Sequence, residues 1–216
     1  MKIETKDLCF SYNGKDYIVN NLNYTFEGGK CYVLEGRNGS GKTTLSKLLC
    51  GILKPQKGRV EYDGVDIAKQ KLSVISQKVG YLFQNPDYQF FASKVLDELS
   101  FPYQLNGDYC QEIAHKINDL LSQFKLEHLK ESFPLLLSGG EKQRLALAVI
   151  FLRDVEFLIL DEPSNAIDNE GKRFAAKLVN DFVSSGGGVL IITHDDDLRA
   201  MLDNAVSISL EELNEN

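Results

Sequence analysis

The stretch Gly36 to Thr44, GRNGSGKTT, follows the spacing G-x-x-x-x-G-K-[ST] and constrains the fold more than any other part of the chain. A run of this kind needs a strand before it and a helix after it. Gly36, Gly39 and Gly41 let the backbone turn tightly enough for successive N–H groups to converge, and the following helix start adds positive potential at the same point. The flanks agree: CYVLE, Cys31 to Glu35, is apolar enough for a buried strand, and TTLSKLLCGIL has the spacing of an amphipathic helix. A loop so built suits phosphate. Lys42 can reach outer phosphates as a point charge and the Thr43 hydroxyl is placed to ligate magnesium, while Arg37, Asn38, Ser40 and Thr44 complete the cradle. The expected ligand is a nucleoside triphosphate, ATP, with Mg2+.

A chain of 216 residues can bury one sizeable core with a smaller insertion, so residues 1–216 are expected to form a single domain. No apolar run approaches the ~18 residues of a membrane-spanning helix, and MKIETKDLCF lacks the hydrophobic stretch of a secretory signal, which points to the cytosol. Cys9, Cys31, Cys50 and Cys110 form no C-x-x-C pair and read as small buried hydrophobes. With 24 Lys and Arg against 31 Asp and Glu, the net charge is -7, and the cations form no stripe. That argues against nucleic acid as a partner. The acidic tail EELNEN reads as a solvated end without function.

The first thirty residues alternate polar and apolar side chains, with Asn13-Gly14 and Gly28-Gly29 as turn signals, and predict antiparallel strands. GRVEYDG and VGYLF read as two further strands. A helix-rich stretch follows, from about residue 85 to 140, in which Ile113, Ile117, Leu120, Leu121 and Phe124 recur at spacings of three and four. It is expected to form an inserted helical subdomain. The remainder alternates helix and strand through EKQRLALAVIFLR, FLILDEP, FAAKLVNDFV, VLIITH and AVSISL, which predicts an α/β fold with a mainly parallel sheet covered on both faces.

FLILDEP ends a buried strand in two carboxylates, where ligands of open α/β sheets bind. Asp161 is positioned to hold magnesium through water, and Glu162 is the candidate general base for a water attacking the γ-phosphate. In LSGGEKQR, Ser138 and Glu141 have the spacing of a capping box, and Gly139 and Gly140 expose N–H groups at the positive end of a helix, which can bind an anion or merely start a structural helix.

The phosphate loop, LSGGEKQR and FLILDEP together, in this order, resemble the ATP-binding cassette (ABC) ATPases over nearly the whole chain. The resemblance implies a P-loop NTPase of ABC type, with an N-terminal antiparallel β subdomain and an inserted α-helical subdomain around the parallel core. It assigns Tyr12 to adenine stacking, Gln84 in YLFQNP to sensing magnesium and the attacking water, and His194 to the γ-phosphate. SNAID, Ser164 to Asp168, resembles the loop that crosses between two ATPase subunits, with Ile167 where leucine is usual. His115 and His128 stay structural. The family pairs two ATPase domains head to tail, the SGG helix start of one closing over the ATP of the other, so the implied partners are a second ABC ATPase subunit, identical or similar, and an integral membrane transporter subunit. FQNPDYQFF, Phe83 to Phe91, is similar to the glutamine loop of energy-coupling factor and related metal and vitamin importers. Tyr88, Phe90 and Phe91 would line a groove for a membrane subunit or pack within the helical subdomain. The implied activity is ATP hydrolysis coupled to transport, peripheral on the inner face of the cell membrane. The alternative is a soluble ABC clamp acting in translation or DNA repair, and a third reading is a regulatory ATPase that scarcely hydrolyses.

Overall fold

The computed structural model describes residues 1–215. The N-terminal part pairs β1 (Lys2–Phe10) antiparallel with β2 (Val19–Glu27), and after β3 (Cys31–Glu35) and α1 (Lys42–Leu49) the chain adds β4 (Lys57–Tyr62) and β5 (Val65–Asp66). These strands make a sheet in the order β2-β1-β4-β5. α2 (Leu72–Lys78) leads into β6 (Val79–Leu82), and two helices, α3 (Val95–Asn106) and α4 (Gln111–Gln123), follow. The chain then alternates α5 (Gly139–Leu152), β7 (Phe157–Asp161), α6 (Asn169–Ser184), β8 (Gly188–Ile192), α7 (Asp196–Ala200) and β9 (Val206–Ser209), and closes on α8 (Leu210–Glu215).

The second sheet is wholly parallel, in the order β6-β7-β8-β3-β9. Its strands are apolar throughout because both faces are covered, and side chains two apart share a face. Leu158, Leu160, Val189 and Ile191 point into one buried cluster with Leu121 and Phe124 of the helical part. Phe157, Ile159, Leu190 and Ile192 point into the other, with Leu45 of α1 and Phe26 of the N-terminal sheet. The apolar face read from the α4 spacing is the one that docks: Ile117 and Leu121 are buried, and Phe124 lies edge-on to Phe174 of α6 with centroids 4.8 Å apart.

Four expectations need correction. α1 stops at Leu49, not Leu53, because Gly51 adopts φ 69° and breaks the helical path. α2 and β5 were not anticipated, since each is short and carries a weak apolar period. Cys9, Cys31 and Cys50 are buried, but Cys110 is exposed at the N-cap of α4, where its side chain makes no capping hydrogen bond. Of the tail EELNEN, Asn216 lies outside the described residues, and the rest belongs to a helix, residues 210–215, that packs beside β2.

Leu121 is fully buried, whereas Leu105 of α3 is 72% exposed. Leu121→Ala should cost about 2–5 kcal/mol in urea unfolding, and Leu105→Ala should stay within about 0.5 kcal/mol of wild type.

Candidate functional site

β3 ends at Glu35 and hands the chain to the phosphate loop at the carboxyl edge of the parallel sheet. Gly41 takes φ 108°, and a Cβ there would come within 2.3 Å of Ile18 Cγ2, so only glycine fits. The Lys42 ammonium donates to the carbonyls of Gly36 (2.7 Å) and Arg37 (3.0 Å) and so sits within the curl of the loop. Thr43 Oγ1 donates to Asp161 Oδ2 at 2.8 Å, which ties the loop to the end of β7.

Beside this pair the chain turns at Glu162, which adopts φ 53°, an uncommon conformation for a non-glycine residue. Its N–H donates to the Ile192 carbonyl at 2.8 Å, and its carboxylate lies 3.9 Å from His194 Nε2. Burial raises the Asp161 carboxyl above its ordinary range, against the opposing hydrogen bond from Thr43. Burial raises Glu162 as well, against hydrogen bonding and attraction from His194. A carboxylate poised this way accepts a proton more readily than an ordinary surface glutamate. These groups face one cleft of about 630 Å³, whose walls include Tyr12, Asn38, Gly39, Thr44, Gln84 and His194. Tyr12 stands on the rim, 64% exposed, its hydroxyl 3.3 Å from Thr44 Oγ1 and its ring edge-on to Phe10 at 4.9 Å.

Ser138, Gly139, Gly140 and Glu141 are not among the residues lining that cleft. They start α5 with the expected capping box: the Glu141 N–H donates to Ser138 Oγ (3.4 Å) and the Ser138 N–H to Glu141 Oε2 (2.8 Å). The Ser138 hydroxyl, which donates to Glu141 Oε2 at 2.6 Å, and then the Ser138 N–H hold the Glu141 carboxyl below its ordinary range. Gly140 is required here, since a Cβ would lie 2.6 Å from the Ala166 carbonyl of the SNAID loop. The two motifs therefore pack against one another at Gly140 and Ala166, and of the two only the SNAID loop reaches the cleft of its own chain, through Asn165.

Three contributors went unrecognised in the sequence. Gln143, 2% exposed, donates to the carbonyls of Glu162 (3.3 Å) and Pro163 (3.2 Å) and fastens α5 beneath the acidic turn. Asn165 lines the cleft. Glu211 accepts the Arg37 N–H at 3.0 Å. Gln143 stands inside LSGGEKQR, so only its partner was hidden; Glu211 gave no local signal.

A second depression, of about 380 Å³, runs between the sheet and the helical part and is lined by Ile52, Leu72, Phe83, Tyr88, Phe91 and Val149, among others. Tyr88 is 77% and Phe91 63% exposed, while Phe90 packs against the core, so the aromatic trio divides between groove and interior. The buried Glu98 carboxylate accepts the N–H groups of Phe91 and Ala92, each at 2.6 Å, and anchors the backbone that carries Phe91.

A sheet edge that curls backbone around a lysine, sets a hydroxyl against a buried carboxylate and raises a second carboxylate beside a histidine is the working edge of a P-loop nucleoside-triphosphatase. Comparison with known proteins narrows this class. Residues 19–165 match the family model described as ABC transporter. The energy-coupling factor transporter ATP-binding protein EcfA1 of Mesomycoplasma hyopneumoniae (strain 7448) is 40% identical over 196 residues, covering 89% of this chain and 72% of that one. The protein of the same name from Thermotoga maritima is 38% identical over 195 residues, covering 90% of this chain and 73% of that one. Among solved structures, cbiO1 from Clostridium perfringens, described as part of the ABC transporter complex cbiONQ, superimposes with a TM-score of 0.76 at 30% identity, over 96% of this chain and 84% of that one. The dimeric MJ0796 cassette bound to ADP and Pi after hydrolysis shares the fold, with a TM-score of 0.82 at 22% identity, over 96% and 94% of the two chains. This chain belongs to the ABC transporter family, as one of its ATP-binding ATPase subunits.

Because burial raises Glu98 above its ordinary value, folding disfavours its ionised form. The resulting loss of stability is absent below the ordinary carboxylate range and complete above the raised value. Glu98→Gln keeps an oxygen for the two N–H donors, so its melting temperature should exceed that of wild type at pH 8, with the gap closing as pH falls toward 4.

Proposed function

We propose that this chain is the ATP-hydrolysing motor of a membrane importer of the energy-coupling factor or metal and vitamin kind. The observation that carries the reading is the single cleft in which the Thr43–Asp161 pair (2.8 Å) and the Glu162–His194 pair (3.9 Å) face the same space. Tyr12 stacks on the adenine, and the loop from Gly36 to Thr44 holds the phosphates through its N–H groups and Lys42. Glu162 takes a proton from the water that attacks the γ-phosphate, the bond to the β-phosphate breaks, and ADP and phosphate leave. His194 orients Glu162 and the γ-phosphate, and Gln84 orients the water.

The Thr43 hydroxyl and the buried Asp161 carboxylate are hard oxygen donors and fit Mg2+, with Gln84 at the cleft wall as a third. Among the described residues no cluster of three acidic, cysteine or histidine side chains is spaced to hold a metal by itself. Two or three oxygens and the phosphates are the donor set that suits this ion. When bound, magnesium neutralises charge on the phosphate oxygens.

The separation of the Ser138–Glu141 helix start from its own cleft supports head-to-tail pairing, in which that surface closes over the nucleotide of a second ABC ATPase subunit. Among the described residues no helix is long and apolar enough to cross a membrane. The aromatic groove at Tyr88 and Phe91 supports docking of an integral membrane subunit, and hence a peripheral place on the inner face of the membrane. The names of the EcfA1 relatives and the FQNPDYQFF segment favour an importer.

Glu162→Gln should lower turnover about 10²- to 10⁴-fold while sparing nucleotide binding. Lys42→Ala should weaken binding itself, roughly 10- to 100-fold. Both are read by ATPase assay and nucleotide titration in the membrane complex; wild-type turnover in Glu162→Gln removes the general base. Tagged Glu162→Gln purified from solubilised native membranes with ATP and magnesium should bring an integral membrane protein with it, and ribosomal proteins or DNA in its place would favour the soluble clamp.

A further inference from the structure

We infer that α8 is a brace for the nucleotide cleft, with Glu211 and Asn214 as positioning residues. Glu211 Oε1 accepts the Arg37 N–H at 3.0 Å, at the first variable position of the phosphate loop, and Glu211 Oε2 accepts from the Ser209 hydroxyl at 3.3 Å. One turn later, Asn214 Oδ1 accepts the Asn20 N–H at 3.0 Å, and its Nδ2 donates to the Ile18 carbonyl at 3.1 Å. Immediately before Glu211, Leu210 is fully buried, and a Cβ on Gly41 would lie 3.6 Å from its Cδ2.

The helix holds two segments that border one cleft. Ile18 lines the cleft and is the side chain that crowds Gly41, while Arg37 directly precedes the lining residues Asn38 and Gly39. Neither Glu211 nor Asn214 lines the cleft, so both act through the backbone they hold. Fixing the Arg37 peptide before nucleotide arrives leaves less of the loop to be ordered on binding, and the Asn214 pair fixes the segment that follows Tyr12 in the same way. Exposed acidic side chains near a triphosphate would otherwise weaken its binding, so an engaged carboxylate at this place needs a reason, and the Arg37 bond supplies one.

The inference rests on the nucleotide reading of the cleft. The test is equilibrium titration of the full-length chain with magnesium and ADP, together with amide hydrogen exchange of the free chain. Glu211→Ala and Asn214→Ala should each raise the dissociation constant roughly two- to ten-fold, as the loss of one or two hydrogen bonds predicts. Exchange should quicken at residues 36–40 in Glu211→Ala and at 18–20 in Asn214→Ala, and be unchanged in β7. Glu211→Gln, which keeps an acceptor for the Arg37 N–H, should bind ADP within about twofold of wild type. Unaltered affinity in both alanine variants, or a glutamine variant as weak as the alanine one, overturns the brace. A wild-type chain that binds no ADP overturns the nucleotide reading itself, a result distinct from wild-type binding with indifferent variants.

Discussion

Everything at the cleft depends on β8 lying in parallel register between β3 and β7. Asp161 pairs with Ile192 and Ile192 with Leu34, so three strands reach the carboxyl edge at one level. At the ~4.8 Å spacing of strands, this brings the phosphate loop, the acidic turn and the histidine loop within reach of one small ligand. A slip of one residue in β7 would turn Asp161 away from Thr43 and bury Glu162 in its stead. The slip is resisted by the core, because Leu158 and Leu160 pack on one face and Phe157 and Ile159 on the other. The apolar run that looks like mere filling thus sets the chemistry.

The parts of the molecule that were legible in the sequence are those whose determinants are local. GRNGSGKTT carries its glycines, its lysine and its flanking strand and helix within about twenty residues, and the Ser138–Glu141 capping box needs only four. The alternation of apolar strand and helix was enough for the parallel sheet. What stayed hidden depends on partners far along the chain: Glu211 meets Arg37 across 174 positions, and Gln143 meets the acidic turn through backbone carbonyls that no side-chain pattern reveals. The tail was misread for the same reason, since a segment with five acidic or polar residues of six looks solvated until Leu210 before it is seen to be buried and Leu213 to pack against the core. Family resemblance supplied the roles of Tyr12, Gln84 and His194, and folding brings all three to one cleft.

The site also concentrates costs that a purely structural protein would avoid. Glu162 and Ala166 both hold positive φ values, 53° and 60°, on either side of Ser164. Asp161 is nearly inaccessible and Glu162 partly so, which makes their charges expensive. The backbone around them is fastened in compensation, by the Glu162 N–H to Ile192, by Gln143 below and by the Asp168 carboxylate that accepts the Gly171 N–H at 2.9 Å. Strain of this kind persists where the surroundings over-determine it, and here the surroundings are the two halves of the core meeting at the sheet edge.

The uneven burial of the cysteines has a practical side. Cys31 and Cys50 are shut inside the two core clusters and burial pushes their thiols far from ionisation, Cys9 is buried in β1, and Cys110 stands in water at the start of α4. A maleimide dye added to the native chain will therefore react at one known place. The helical insertion carries its own attachment point for an optical reporter, and its surroundings can be followed as nucleotide or partner is added without altering a single residue.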